Sequence, residues 1–107
     1  MEIKNFKNDN HSGFDVYFEK KLEPNEVVYL KMPTISLNKR SVNDIGWQCE
    51  NETTIYATLS NQLSGKNENE ILWTEIQNEQ DINKCTQFLK ICAGNEGGIV
   101  YVRANLN

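Results

Sequence analysis

The amino-acid sequence predicts an all-β domain: a two-sheet antiparallel β-sandwich, of jelly-roll or immunoglobulin-like form, with about seven or eight short strands. Three observations lead there. Apolar and polar residues alternate over short stretches, as in Phe14-Asp15-Val16-Tyr17-Phe18-Glu19 and Ile55-Tyr56-Ala57-Thr58-Leu59. This is the period of a half-buried strand rather than of a helix. Turn formers interrupt these stretches at roughly 8–12-residue intervals. Finally, the glycine-rich Gly94-Asn95-Glu96-Gly97-Gly98 separates two apolar runs within Cys85 to Asn105. Such a turn between runs of Ile, Val, Tyr and Phe predicts a C-terminal β-hairpin over 85–105.

With 107 residues, the chain forms one domain: a polar arm over 1–12 and a sandwich over 13–107. The arm is Asn/Lys-rich, and only Ile3 and Phe6 in it are large and apolar. It is expected to order only against a partner. A strand follows at Gly13–Glu19, and a turn at Lys20–Asn25 breaks at Pro24-Asn25. Glu26–Met32 reads as the next strand, with Val28, Leu30 and Met32 on one face, and Thr34–Leu37 as a short continuation beyond Pro33. Asn38–Asn43 is loop. Asp44–Glu50 puts Ile45, Trp47 and Cys49 on one face, and Thr53–Ser60 does the same for Ile55, Ala57 and Leu59. The polar stretch 60–70 is the longest connection. Ile71–Ile76 fits a strand, through the alternation of Ile71, Trp73 and Glu75, or a helix, through its acidic lead-in; the strand agrees better with its neighbours. Asp81-Ile82-Asn83 predicts a pinned corner. In the hairpin, Ile91 would face Val100 and Leu89 would face Val102 on the core side. Lys90 against Tyr101 and Phe88 against Arg103 would form the outer side. Phe14, Ile71 and Trp73 complete the expected core.

Composition excludes several functions. The net charge is −4, and the 11 Lys and Arg are scattered, so nucleic acid is not the expected partner. No apolar run approaches the ~20 residues of a membrane span, and the N-terminus lacks the apolar core of a secretion signal. A soluble protein made in a cytoplasm is expected. Cys49, Cys85 and Cys92 match no zinc spacing, and the only histidine, His11, lies in the polar arm. They read as packed thiols, so no catalytic, cofactor or metal residues are assigned and no enzyme is expected. Glu19, Glu23 and Glu26 surround one turn but lack the dense Asp/Asn/Gly loop of a calcium site. The glycine-rich loop leads into a strand, whereas a phosphate cradle leads into a helix.

The candidate interface is the outer face of the hairpin: Phe88, Lys90, Tyr101 and Arg103. Aromatics with Arg are enriched at protein interfaces. The same four residues also fit a cross-strand pair, with Arg103 over Phe88 on a solvated face.

The C-terminal third carries a resemblance. Trp73-Thr74-Glu75-Ile76, Asp81-Ile82-Asn83, Thr86, Leu89-Lys90-Ile91, Gly97-Gly98 and Val102-Arg103-Ala104-Asn105-Leu106-Asn107 resemble the endings of small tailed-bacteriophage virion proteins. Those are β-sandwich modules found as capsid decoration, head-fibre or tail-associated proteins. The resemblance implies a non-enzymatic structural protein located in the virion, with other virion proteins as partners and homo-oligomers as the usual state. No functional residue carries over, because such proteins work through surfaces. The alternative is a carbohydrate-binding or receptor-binding module, with Tyr17, Tyr29, Tyr56 and Tyr101 stacking on sugar rings.

Overall fold

The computed structural model describes residues 2–8, 13–33, 42–59, 70–78, 81–82 and 86–106. Among the described residues the fold is all-β, with eight strands: β1 (Ile3–Asn5), β2 (Val16–Leu22), β3 (Val27–Lys31), β4 (Val42–Cys49), β5 (Thr54–Thr58), β6 (Thr74–Ile76), β7 (Phe88–Cys92) and β8 (Gly98–Leu106). They form two sheets, a five-stranded one in the order β1-β3-β7-β5-β6 and a three-stranded one in the order β2-β8-β4. All strand pairs are antiparallel except β1 with β3, which is parallel.

Mainly aliphatic side chains from every strand except β1 fill the space between the sheets. Leu30, Leu89, Ile91, Val100, Val102 and Ala104 are fully buried there, and Val16, Phe18, Val28, Ile45, Ile55, Ala57 and Ile76 join the same cluster. Each fully buried Val, Leu or Ile contributes roughly 1.5–3 kcal/mol relative to exposure. Trp47 and Cys49 pack half-buried against this core.

The expected hairpin over 85–105 does not form. β7 pairs with β3 and β5, while β8 pairs with β2 and β4. Both sides of each strand are occupied, so no backbone edge of β7 is left for β8. The connection at 93–97 crosses from one sheet to the other. Consequently Ile91 and Val100, and Leu89 and Val102, contribute to one core from opposite layers. The stretch still organises the fold, because each half supplies the central strand of one sheet.

The connections at 23–26 and 50–53 also cross between the sheets at this pole. Backbone and side-chain bonds tie the three together. The Asn25 N–H donates to the Gly94 carbonyl (3.0 Å), the Ala93 N–H to that of Glu26 (2.8 Å), and Asn51 Nδ2 to that of Gly97 (2.6 Å). Asn25 and Asn51 hold left-handed backbones, φ 60° and 59°, a conformation Asn tolerates better than most residues.

Several boundaries differ from the sequence-based expectation. Within the expected polar arm, Ile3–Asn5 is a strand lying parallel to β3, and Lys7 exchanges backbone hydrogen bonds with Tyr17 of β2. The N-terminal segment thus runs from the edge of one sheet to the edge of the other. β2 continues to Leu22, through residues expected to turn, and β4 starts at Val42, inside an expected loop. Only Thr74–Ile76 of the 71–76 segment is strand. The corner at Asp81 is present: its carboxylate accepts from the N–H groups of Gln77 and Asn78. The expected strand at 34–37, residues 60–69, His11 and Cys85 lie outside the described residues.

Edge strand β2 carries a charge on its inward side. Lys20 Nζ lies 3.1 Å from a Glu26 carboxylate oxygen, and an inward-pointing edge charge discourages another strand from adding on. The Glu23 N–H and then Lys20 hold the Glu26 carboxyl below its ordinary range. A lowered folded-state pKa means stability that is present above the unfolded value near 4.5 and lost as pH falls through the folded value. Lys20 and Glu26 are 34% and 27% exposed, so solvent screening limits the contribution to at most ~1 kcal/mol. Urea unfolding at pH 6 and pH 3 checks this: Glu26→Gln should shrink the acid-induced loss of stability while leaving the m-value unchanged.

Candidate functional site

Outward residues of β8 alternate with the buried valines, which places Ile99, Tyr101 and Arg103 on the exterior of the three-stranded sheet. In register, Arg103 lies between Tyr17 of β2 and Gly46 of β4, and Tyr101 lies between Glu19 and Gln48. The Arg103 guanidinium occupies the space above Gly46. A Cβ added there would stand 3.1 Å from Nη2 and 3.2 Å from Cζ. The Phe14 ring centroid is 5.0 Å from Cζ and that of Tyr101 is 5.8 Å, so two aromatic rings hold the cation. Tyr17 extends the group, 6.2 Å from Tyr101 between centroids, with Lys7 Nζ 5.8 Å from the Tyr17 centroid.

Arg103 Nη1 is buried and has no hydrogen-bond partner, and no carboxylate pairs with Arg103 among the described residues. Beside it lies a shallow depression of about 560 Å³. Ile99, Tyr101 and Arg103 line it from the central strand, Glu19 from β2, Gln48, Cys49 and Glu50 from β4 and its end, and Phe14 from the segment before β2. Burial pushes the Cys49 thiol up to about 11. At pH 8 it is therefore overwhelmingly protonated, and iodoacetamide should modify it far more slowly in the folded protein than in urea, as read by intact mass.

The exterior of the five-stranded sheet carries a second aromatic group. Tyr29, Lys90 and Tyr56 sit side by side on β3, β7 and β5. Lys90 Nζ is 5.0 Å from the Tyr56 centroid and 5.2 Å from that of Trp73, and Trp73 packs on Tyr29 at 5.8 Å between centroids. Phe88, on the same exterior face, is covered instead of exposed: Ile71 buries it, with Ile3, Tyr29 and Trp73 packed around.

The four residues expected to form one interface are therefore divided. Phe88 and Lys90 belong to the outside of one sheet, Tyr101 and Arg103 to the outside of the other. The alternation assigned all four to outward positions correctly. The inter-sheet crossing at 93–97 then sends the two halves of the patch to opposite sides of the molecule. The sequence signal for the observed site lies in Gly46 inside a strand pattern, since glycine within a strand marks close approach of another group; Phe14 carries no such signal, because it continues the alternation of Val16 and Phe18.

Glu19, Glu23 and Glu26 do not gather either. Glu19 borders the depression, whereas Glu26 is engaged with Lys20 and the Glu23 backbone. Among the described residues, no three His, Cys, Asp or Glu side chains are grouped so as to hold a metal ion. No protein-family model matches the sequence, and no curated protein or solved structure matches it.

Proposed function

We propose that this molecule is a non-enzymatic structural protein that works by protein–protein contact, and that its working surface is the exterior of the three-stranded sheet. The observation that carries the reading is the Phe14/Tyr101/Arg103 group around an open depression. Buried-centre aromatics and arginine supply most of the energy at protein interfaces. The resemblance of the C-terminal third to tailed-phage virion proteins supports a place in a phage particle, as a capsid decoration or a head or tail accessory protein. Self-association of such subunits would follow cyclic symmetry.

Two measurements test this: molar mass by light scattering across dilution, and mass spectrometry of purified particles. The reading expects an oligomer or a particle component. A strict monomer that binds no virion protein contradicts it.

The second reading, carbohydrate binding, draws on the other sheet. Tyr29, Tyr56 and Trp73 form an aromatic platform, and sugar rings stack on such faces. Lys90 occupies the middle of that platform, which favours the first reading. A glycan array together with Trp fluorescence titration would give signals in both if sugar binds and in neither if it does not.

A further inference from the structure

From the Arg103 group we infer a carboxylate-binding subsite: the depression takes one carboxylate group presented by an extended peptide of a partner protein. This rests on the protein-contact reading above and specifies its chemistry. Three independent features converge. The guanidinium lies within cation–π distance of both Phe14 and Tyr101, which restrict the movement of its planar fork before any ligand arrives. Gly46 leaves the space the fork needs, because a side chain there would meet Nη2 at 3.1 Å. Finally, Nη1 is buried without a hydrogen-bond partner, so an acceptor that reaches it after a small shift of the groups covering it would satisfy an otherwise unpaired donor.

The charge of the ligand follows from the neighbours. Glu19 and Glu50 line the same depression as the single guanidinium, within a protein of net charge −4. Two carboxylates beside one guanidinium disfavour added negative charge, and they disfavour a dianionic phosphate twice as strongly as a monoanion. A monoanionic carboxylate matches one guanidinium in fork-to-fork geometry. Gln48 lines the same depression and supplies an amide to a peptide backbone, and the rings of Phe14 and Tyr101 supply apolar contact for the residue beside the carboxylate.

The carboxylate has two sources, an acidic side chain or the free carboxy terminus of a polypeptide, and three short aromatic-containing peptides separate them. One carries a glutamate and is acetylated and amidated. The second has the same blocked ends with glutamine in place of glutamate. The third has no acidic side chain but a free terminal carboxylate. Each is titrated into the intact ¹⁵N-labelled protein while the Arg103 Nε–H and Gly46 N–H signals are followed. Saturable shifts at these two signals are expected for the glutamate or the free-carboxylate peptide, with the glutamine peptide weaker by about tenfold or more. Arg103→Lys keeps the charge but removes the fork and should weaken binding by about tenfold. Gly46→Ala, which leaves Arg103 in place but crowds it, should weaken binding in the same direction. The wild-type titration decides the matter even if a variant fails to fold. Equal binding of the glutamate and glutamine peptides, or no movement of the Arg103 signal at millimolar peptide, overturns the subsite. A protein that assembles yet ignores the carboxylate peptides loses this inference and keeps the contact reading; a strict monomer that binds them does the reverse.

Discussion

Ile91→Ala should destabilise the domain by about 2–5 kcal/mol, a large share of the roughly 5–15 kcal/mol that holds a domain of this size together. Ile91 is completely buried. It stands on the central strand of the five-stranded sheet, directly between Val28 and Ile55, both of which are buried as well. Truncation there loses the transfer energy of three carbons and leaves a cavity that flanking strands, pinned by ladder hydrogen bonds on both sides, cannot close. Urea unfolding followed by tryptophan fluorescence reads the effect as a lower midpoint at unchanged m-value. Leu72→Ala serves as the control. Leu72 is 83% exposed, so its truncation should change stability by less than ~0.5 kcal/mol.

Gly97→Ala is expected to cost about 3 kcal/mol or more, from two sources that add. Gly97 has φ 67°, where an alanine is strained. Its new Cβ would also stand 2.3 Å from the Leu22 carbonyl oxygen, with the Glu23 and Pro24 backbones at 3.0 and 3.1 Å. Those atoms belong to another crossing turn tied to this one, so relief requires the two turns to separate. Gly13→Ala isolates the conformational part. Gly13 has φ 85° but open space around it, so the same substitution there should cost only about 1 kcal/mol. Thermal unfolding of the two variants against wild type separates steric from backbone cost.

The alternation of side chains made the layers readable. Val16 and Phe18, Val28 and Leu30, Ile55 and Ala57, Leu89 and Ile91, and Val100 and Val102 all face the core as their spacing requires. Strand partners were not readable in the same way. A glycine-rich segment between two alternating runs serves equally as a hairpin turn and as a crossing between sheets. In both cases the two aliphatic rows face a common interior, so the pattern cannot distinguish them. What decides is the competition for backbone edges, and β3, β5, β2 and β4 fill those edges around β7 and β8.

The remaining differences have local causes. Leu59 continues the alternation of β5 but lies one residue past its end, where it is 61% exposed. Trp73 precedes β6 and packs outside, against Tyr29, because Ile71 and the residues around it fold over Phe88 on the exterior of the sheet. Phe14 has the parity of a core residue, yet it stands before β2 begins and covers Arg103. In each case the period-2 pattern runs past the end of a ladder, where nothing enforces it. The site has a related cause. Arg103 and Tyr101 have outward parity in the sequence, but their companions, Gly46 and Phe14, come from parts of the sequence that only the fold brings together.

The placement of β7 and β8 in opposite sheets locates both exterior faces, and with them the Arg103 group. Cross-strand backbone contacts measured by nuclear Overhauser spectroscopy on the labelled protein test it most directly. Val102 should show such contacts to Phe18 and Trp47, and Leu89 to Leu30 and Ala57. Backbone contacts between Leu89 and Val102 would restore the hairpin, bring Phe88 and Arg103 onto one face, and contradict the account.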